Sequence, residues 1–246
     1  MVAFAGSDPI GVLIGAKRPS GTLIHKIAVH PEHRRQGHGR HLLTSLSSKL
    51  AILGPPRMVA EVSESFAPAC ELFSACGYVE EALLTDYVLE GDGTDVPTLE
   101  GFFTIPVTVD DLAANGLLGE ADRQVCWERS VETLTARKGD IAGLAVASDE
   151  RIEAYVLYLN RRVDPDGNAE PGPQASALTE ILALRTVIED GGACLKQLLS
   201  RLGAQGMRTF RFSKVHPAEI SKECLETLGF RAADGQLLYA TRARSG

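Results

Sequence analysis

Cysteine pairs, a basic leader and a long apolar run are all missing from this 246-residue chain. Its cysteines (Cys70, Cys76, Cys126, Cys194, Cys224) are odd in number and never stand in CxxC spacing. That excludes a zinc knuckle and a disulfide frame and points to reduced thiols. The first fifteen residues are apolar but broken by Asp8, Pro9 and several glycines, so they read as neither a signal peptide nor a membrane span. A cytoplasmic location is expected. A basic excess is lacking too: net charge is −7, with 8 Lys+Arg against 11 Asp+Glu up to residue 95 and 17 against 21 after it. Nucleic acid is therefore not an expected partner, and the acidic balance mildly favours a cationic one.

What remains is ordinary globular material, 44% apolar with a mean hydropathy of −0.01, enough for one large domain or two small ones. The stretch that organises it is Val29-His30-Pro31-Glu32-His33-Arg34-Arg35-Gln36-Gly37-His38-Gly39-Arg40. An apolar run, Leu23 to Val29, precedes it, and the helical pattern Leu42, Leu43, Leu46, Leu50 follows. Strand, turn and helix start are predicted in that order. The first amides of a helix lack intrahelical partners and carry partial positive charge, so they bind anions. Gly37 and Gly39 let a phosphate approach closely, and Arg34, Arg35 and Arg40 add cations that suit phosphate oxygens. The stretch reads as a pyrophosphate cradle. No Lys-Ser/Thr pair follows Gly39, which excludes the loop of phosphate-hydrolysing proteins, and Leu42 stands where a dinucleotide fingerprint needs its third glycine.

Taken in order, Val2–Ala5, Ile10–Ile14, Leu23–Val29, Met58–Ser63 and Ala82–Leu89 read as strands, with helices over Gly37–Leu53 and Ala67–Ala75. Glu90 to Pro97 reads as a linker. The same order then recurs: strands at Leu144–Ala147, Ile152–Leu159 and Leu178–Ala183, a helix over Ala193–Leu202, a strand at Met207–Phe212, a helix over Ala218–Leu228 and a last strand at Leu237–Thr241. Two copies of one α+β unit are expected, residues 1–95 and 96–246. Copy two has extra residues before its central strand, including a helical stretch from Asp122 to Ala136, which copy one lacks. It also carries Glu189 and Asp190 where copy one has its arginines, so repulsion should keep a pyrophosphate away and confine cofactor chemistry to copy one. Arg161 to Ser176, rich in Pro, Gly and Asp, reads as a mobile loop.

Arg34-x-x-Gly37-x-Gly39 directly after Val29-His30-Pro31 resembles the acyl-CoA-binding motif of the GNAT superfamily of N-acetyltransferases. The resemblance implies two GNAT-like units, each a mixed, mostly antiparallel sheet splayed around its central strand and flanked by helices, with a degenerate second copy. It implies acetyl-CoA as co-substrate, held by the backbone of Ile27, Ala28 and Val29 and by residues Arg34, Arg35, Gln36, Gly37, His38, Gly39 and Arg40. It also implies acetyl transfer to a primary amine of a small molecule or peptide by direct attack. The family often takes the leaving-group proton from a Tyr at the position held here by Phe73, and a phenyl ring cannot donate one. Ser65, Ser74 or water could serve instead.

Glu61 and Glu64, at the end of a strand, are the candidates for general base, against the plainer reading of solvated strand-end carboxylates. Five of the six histidines lie between 25 and 41, but no Cys or carboxylate completes metal-ligand spacing, so no metal is expected; His30 and His33 read as part of a solvated turn, and His25 could line the acceptor cleft. Copy one begins at its first hairpin, so Val2, Phe4 and Val12 should need a cover, either copy two or a second chain in a homodimer. The competing function is a non-catalytic CoA-binding or protein-interaction module.

Overall fold

The computed structural model describes residues 1–91, 99–119, 125–163 and 176–243. In chain order the elements are β1 (Val2–Ala5), β2 (Asp8–Arg18), β3 (Gly21–Val29), α1 (His38–Leu53), β4 (Arg57–Ser63), α2 (Ala67–Ala75) and β5 (Val79–Glu90). Then come β6 (Phe103–Pro106), α3 (Val109–Ala114), α4 (Val131–Ala136), β7 (Ala142–Ala147), β8 (Ile152–Val163), β9 (Ser176–Thr186), α5 (Ala193–Ala204), β10 (Thr209–Val215), α6 (Lys222–Thr227) and β11 (Arg231–Arg242). Of the predicted linker, Glu90 is the last residue of β5 and residues 92–97 lie outside the described residues. The predicted mobile loop falls mainly on residues 164–175, also outside them, while β8 and β9 extend into its two ends. Within the predicted helical stretch from Asp122, the described residues form a short 3-10 turn, Trp127–Arg129, and then α4. The helix expected from Ala218 begins at Lys222, where Ser221 caps it by accepting from the Cys224 amide.

The chain forms two compact units, Met1–Leu84 with Gly235–Gly246, and Thr85–Asp234. These bounds differ from a division after residue 95, for a topological reason. In the first unit the strand order is β1-β2-β3-β4-β11, so the C-terminal strand joins the unit at the opposite end of the sequence. Seven residue pairs, from Gln236↔Ser63 to Arg242↔Arg57, hold β11 antiparallel to β4. In the second unit the order is β5-β10-β9-β8-β7-β6, with Thr85–Glu90 of β5 antiparallel to β10. Gly235–Arg242 of the second repeat's last strand thus belongs to the first unit, and Thr85–Glu90 of the first repeat's last strand to the second. An alternating strand pattern specifies which face is buried but not which sheet edge it joins.

Each unit has a single parallel pair at its centre, β3 with β4 and β9 with β10, among antiparallel neighbours. In the first unit that ladder consists of Thr22↔Met58 and Leu23↔Val59, although β3 continues to Val29 and β4 to Ser63. The two strands therefore diverge beyond Leu23. A bulge marks the divergence: Ile14 pairs with Lys26 and Gly15 with Ile24, leaving His25 as the extra residue. The second unit repeats the device, with Leu182 as the extra residue between Ala183 and Ile181. On one face of the first sheet α1 buries Leu42, Leu43, Leu46 and Leu50 against Leu13, Ile24, Met58, Ala60 and Val62. Burial of that order stabilises by about 1.5–3 kcal/mol per large side chain and fixes where the start of α1 lies relative to β3. The second unit buries both sheet faces, one under α5 and α6 and the other under α3 and α4. The first unit has no counterpart of α3 and α4 among its described residues, and Val2, Phe4 and Ile14 are exposed there.

Candidate active site

Sequence dictates the turn between β3 and α1. Pro31 opens a short 3-10 turn over Pro31–His33, and Arg34 closes it in extended conformation. Arg35 then adopts a left-handed φ of 62° and Gly37 one of 88°, a region that glycine enters without steric cost. Gly37 is the N-cap of α1, and the first intrahelical bond runs from the His41 amide to the Gly37 carbonyl at 2.9 Å. No side chain of the described residues accepts from the amides of His38, Gly39 or Arg40, so a sixteen-residue helix starts with its positive end uncapped. Opposite it, residues 24–29 of β3 and 60–63 of β4 border the opening between the diverging strands.

The predicted residues separate into those that face this opening by backbone and those whose side chains are engaged. Ile27 packs partly into the α1 core, Ala28 is exposed and Val29 is half-buried. Arg34 donates from Nε to the Val29 carbonyl at 3.1 Å, Gln36 donates to the Glu32 carbonyl at 3.0 Å, and Arg35 pairs with Glu71 at 3.2 Å. Arg40 stands beside Cys76; burial pushes that thiol up, and the guanidinium offsets only part of the rise. Gly39 has a reason of its own to be glycine: a Cβ there would meet Leu72 Cδ2 at 3.1 Å, so it lets α1 and α2 approach each other. The space Gly39 leaves is thus filled by a neighbouring helix.

Glu61 stands on β4 two residues past the last β3 ladder pair, half-buried, on the face opposite Met58, Ala60 and Val62. Glu64 follows the strand, is exposed, and has its amide on the Gly235 carbonyl at 3.1 Å. Its carboxylate lies where a Cβ on Gly235 would project. Ser65 shares a 2.9 Å hydrogen bond with Ser63. Phe73 is 2% exposed, edge-on to Tyr78 at 5.1 Å and stacked on Tyr239 at 5.9 Å between ring centroids. Position 73 is therefore a packing position in this protein. Burial pushes the Tyr78 hydroxyl up, with Cys76 adding to the shift, and its hydrogen goes to the Met58 sulfur. Tyr239, carried in by the exchanged strand, had no local signal in the sequence.

The second unit occupies the corresponding features with its own side chains. Helix α5 also starts at a left-handed glycine, Gly192, but there the Asp190 carboxylate accepts from the Gly192 amide at 2.9 Å and the Cys194 amide at 2.7 Å. Burial alone would raise the Asp190 carboxyl, yet the hydrogen bonds from Cys194 and Gly192 outweigh it and hold the group below the usual carboxylate range. The sequence suggested that this acid repels an anion; the geometry adds that it takes an anion's place. Where β9 and β10 part, beyond Ile181 and Phe212, the Arg129 guanidinium donates to the Leu182 carbonyl at 3.4 Å and the Lys214 carbonyl at 3.0 Å. It pairs through two nitrogens with Glu219, at 2.6 and 2.7 Å, and lies 4.5 Å from the Phe212 ring centroid. Sequence reading missed Arg129 entirely, because its burial depends on a partner ninety residues away.

Among the described residues no group of three or more His, Cys, Asp and Glu could hold a metal ion, and no helix is long and apolar enough to cross a membrane. Residues 1–78 match the model of the Acetyltransferase (GNAT) family. No curated protein matches the chain. Among solved structures, a tandem GNAT protein from the clavulanic acid biosynthesis pathway superposes with a TM-score of 0.64 at 16% identity, over 100% of this chain and 82% of its own. A GCN5-related N-acetyltransferase from Sphaerobacter thermophilus gives 0.63 at 14% identity, over 98% of this chain and 79% of its own. A GCN5-related glucosamine N-acetyltransferase region of a fungal multi-domain GH3 β-N-acetylglucosaminidase gives 0.69 at 10% identity, over 96% of this chain and 32% of that longer one. The family model thus matches the first 78 residues, and the chain as a whole has the mixed, mostly antiparallel fold of these GNAT structures, the first of them a tandem one.

Proposed function

We propose that the chain is an acetyl-CoA-dependent N-acetyltransferase acting on a primary amine of a small molecule or peptide, with its chemistry in the first unit. The observation that carries this reading is the contrast between the two helix starts. The amides of α1 are left to a ligand, while those of α5 are taken by Asp190. A pyrophosphate on His38, Gly39 and Arg40 directs a pantetheine arm into the β3–β4 opening, where the backbone of Ile27 to Val29 lies along one side. Glu61, at the head of that opening, accepts the ammonium proton of the acceptor directly or through water, and the freed amine attacks the thioester carbon. The tetrahedral oxyanion is stabilised by β3 amides near the His25 bulge. The thiolate leaves with a proton from water, Ser65 or Ser74, because Phe73 has none to give. Titration calorimetry with acetyl-CoA, followed by thiol release against a panel of amines, tests the proposal. Binding of one equivalent and turnover on an amine above background hydrolysis support it; absence of binding sinks it.

A second reading, a CoA-binding module without catalysis, is favoured by the burial of Phe73 between Tyr78 and Tyr239. It requires acetyl-CoA binding with no turnover on any amine. In both readings the second unit is a degenerate partner, and the exposed face of Val2 and Phe4 leaves a homodimer open.

A further inference from the structure

Helix α2 touches both the start of α1 and the head of β4. On the first side Glu71 pairs with Arg35 at 3.2 Å and Leu72 packs on Gly39, the second residue of α1. On the other side the half-buried Cys70 donates from its thiol to the Ser63 carbonyl at 3.6 Å, at the end of β4 that borders the opening. Ser63 and Ser65 share their own 2.9 Å hydrogen bond there, so three protic side chains stand together at the head of the strand. Cys70 precedes Phe73 by three residues on the same helix, close to one turn, and both pack into the core under α1.

We infer that Cys70, ahead of the neighbouring hydroxyls, is the group that protonates the departing thiolate. The inference rests on the reading of the first unit as an acetyltransferase and concerns the step for which Phe73 supplies no proton. As the amine nitrogen bonds to the acyl carbon, the carbon–sulfur bond breaks and its electron pair goes to sulfur. The S–H proton of Cys70 moves to that sulfur, and solvent returns a proton to the Cys70 thiolate. Proton transfer between a thiol and a thiolate is close to thermoneutral, whereas an alcohol is a far weaker acid and its alkoxide lies uphill. The chemistry therefore selects the thiol from the three protic groups, and the Ser63 carbonyl fixes that thiol at the edge of the opening.

The test compares the full chain with its Cys70→Ala and Cys70→Ser variants, by calorimetry with acetyl-CoA and by turnover of an amine that wild type accepts. Both variants should bind acetyl-CoA as wild type does and lose about 100-fold in kcat, the size of one general acid. Cys70→Ser keeps a hydrogen-bond donor of nearly the same size, so an equal loss in the two separates acidity from packing. Added imidazolium should restore part of the rate of Cys70→Ala and leave wild type unchanged. Unchanged kcat in Cys70→Ser, a loss matched by weaker acetyl-CoA binding, or a loss that imidazolium does not relieve overturns the assignment, returns the proton to water or a seryl hydroxyl, and leaves the acetyltransferase reading standing. If neither variant folds, labelling of wild type with N-ethylmaleimide decides: saturating acetyl-CoA should shield Cys70, and an unchanged labelling rate overturns the assignment. A wild type that turns over no amine overturns the acetyltransferase reading and this inference together.

Discussion

Removing Arg129 should cost the second unit more stability than any surface change. The side chain is 3% exposed and Glu219 is 1% exposed, so neither has water to fall back on. Arg129→Met leaves a buried carboxylate facing a thioether and strips a donor from the Leu182 and Lys214 carbonyls. Breaking a buried pair from one side costs about 3–5 kcal/mol, because the remaining charge is desolvated without compensation. For a chain of this size that corresponds to a fall in melting temperature of roughly 6–20 °C. Glu219→Leu alone should cost a similar amount. Arg129→Met with Glu219→Leu should cost clearly less than the sum, since two apolar groups replace two charges; the coupling is read from a double-mutant cycle. Urea unfolding followed by tryptophan fluorescence is the assay, and the single tryptophan, Trp127, lies in the same 3-10 turn as Arg129. A single variant costing less than about 1 kcal/mol, or a double variant no better than the sum of the singles, would refute the view that this pair closes the gap between β9 and β10.

Three further outcomes are expected. Asp190 has a depressed carboxyl pKa, so its contribution is complete above the ordinary value of 3.8 and disappears as pH falls below it; the loss of stability between pH 5 and pH 2 should be shallower in Asp190→Asn than in wild type, as followed by thermal melts. Tyr239→Ala should destabilise the first unit by about 3–5 kcal/mol in chemical denaturation, since the ring is buried against Phe73, and a loss below about 1 kcal/mol would argue against the strand exchange. Gly235→Ala would push a methyl into the space of the Glu64 carboxylate, so if Glu64 serves the acceptor, turnover should drop severalfold at unchanged acetyl-CoA affinity; equal kcat in the two proteins removes Glu64 from the mechanism.

Much of this protein was legible in its residues, and the failures have physical causes. Period and punctuation located the repeated strands, and Gly37 before the Leu42, Leu43, Leu46, Leu50 stripe located α1, because these are local signals. Gly39 was read through a ligand, although a close approach of α1 to Leu72 asks for the same residue. The destination of Leu237–Thr241 was not readable, since pairing with β4 across the whole sequence leaves no mark on five apolar and small residues. Arg129 resembles any surface arginine until Glu219 is brought to it. The role of Asp190 was half visible: an Asp two residues ahead of a helix glycine signals a turn that bonds its own backbone, as well as a negative charge.

The central claim is that the first unit binds acyl-CoA at the start of α1 and the second does not, because Asp190 already fills the start of α5. Arg35 stands two residues before its N-cap glycine, as Asp190 does before Gly192. Arg35→Asp therefore puts a carboxylate at the same offset from the N-cap glycine as in the second unit, in place of a cation and on an exposed turn where folding should survive. Calorimetry with acetyl-CoA should give one site per chain in wild type and a loss on the order of 100-fold in Arg35→Asp, the effect of reversing a charge within a few ångströms of a pyrophosphate. Two sites per wild-type chain, or an Arg35→Asp protein that binds as wild type does, would contradict it.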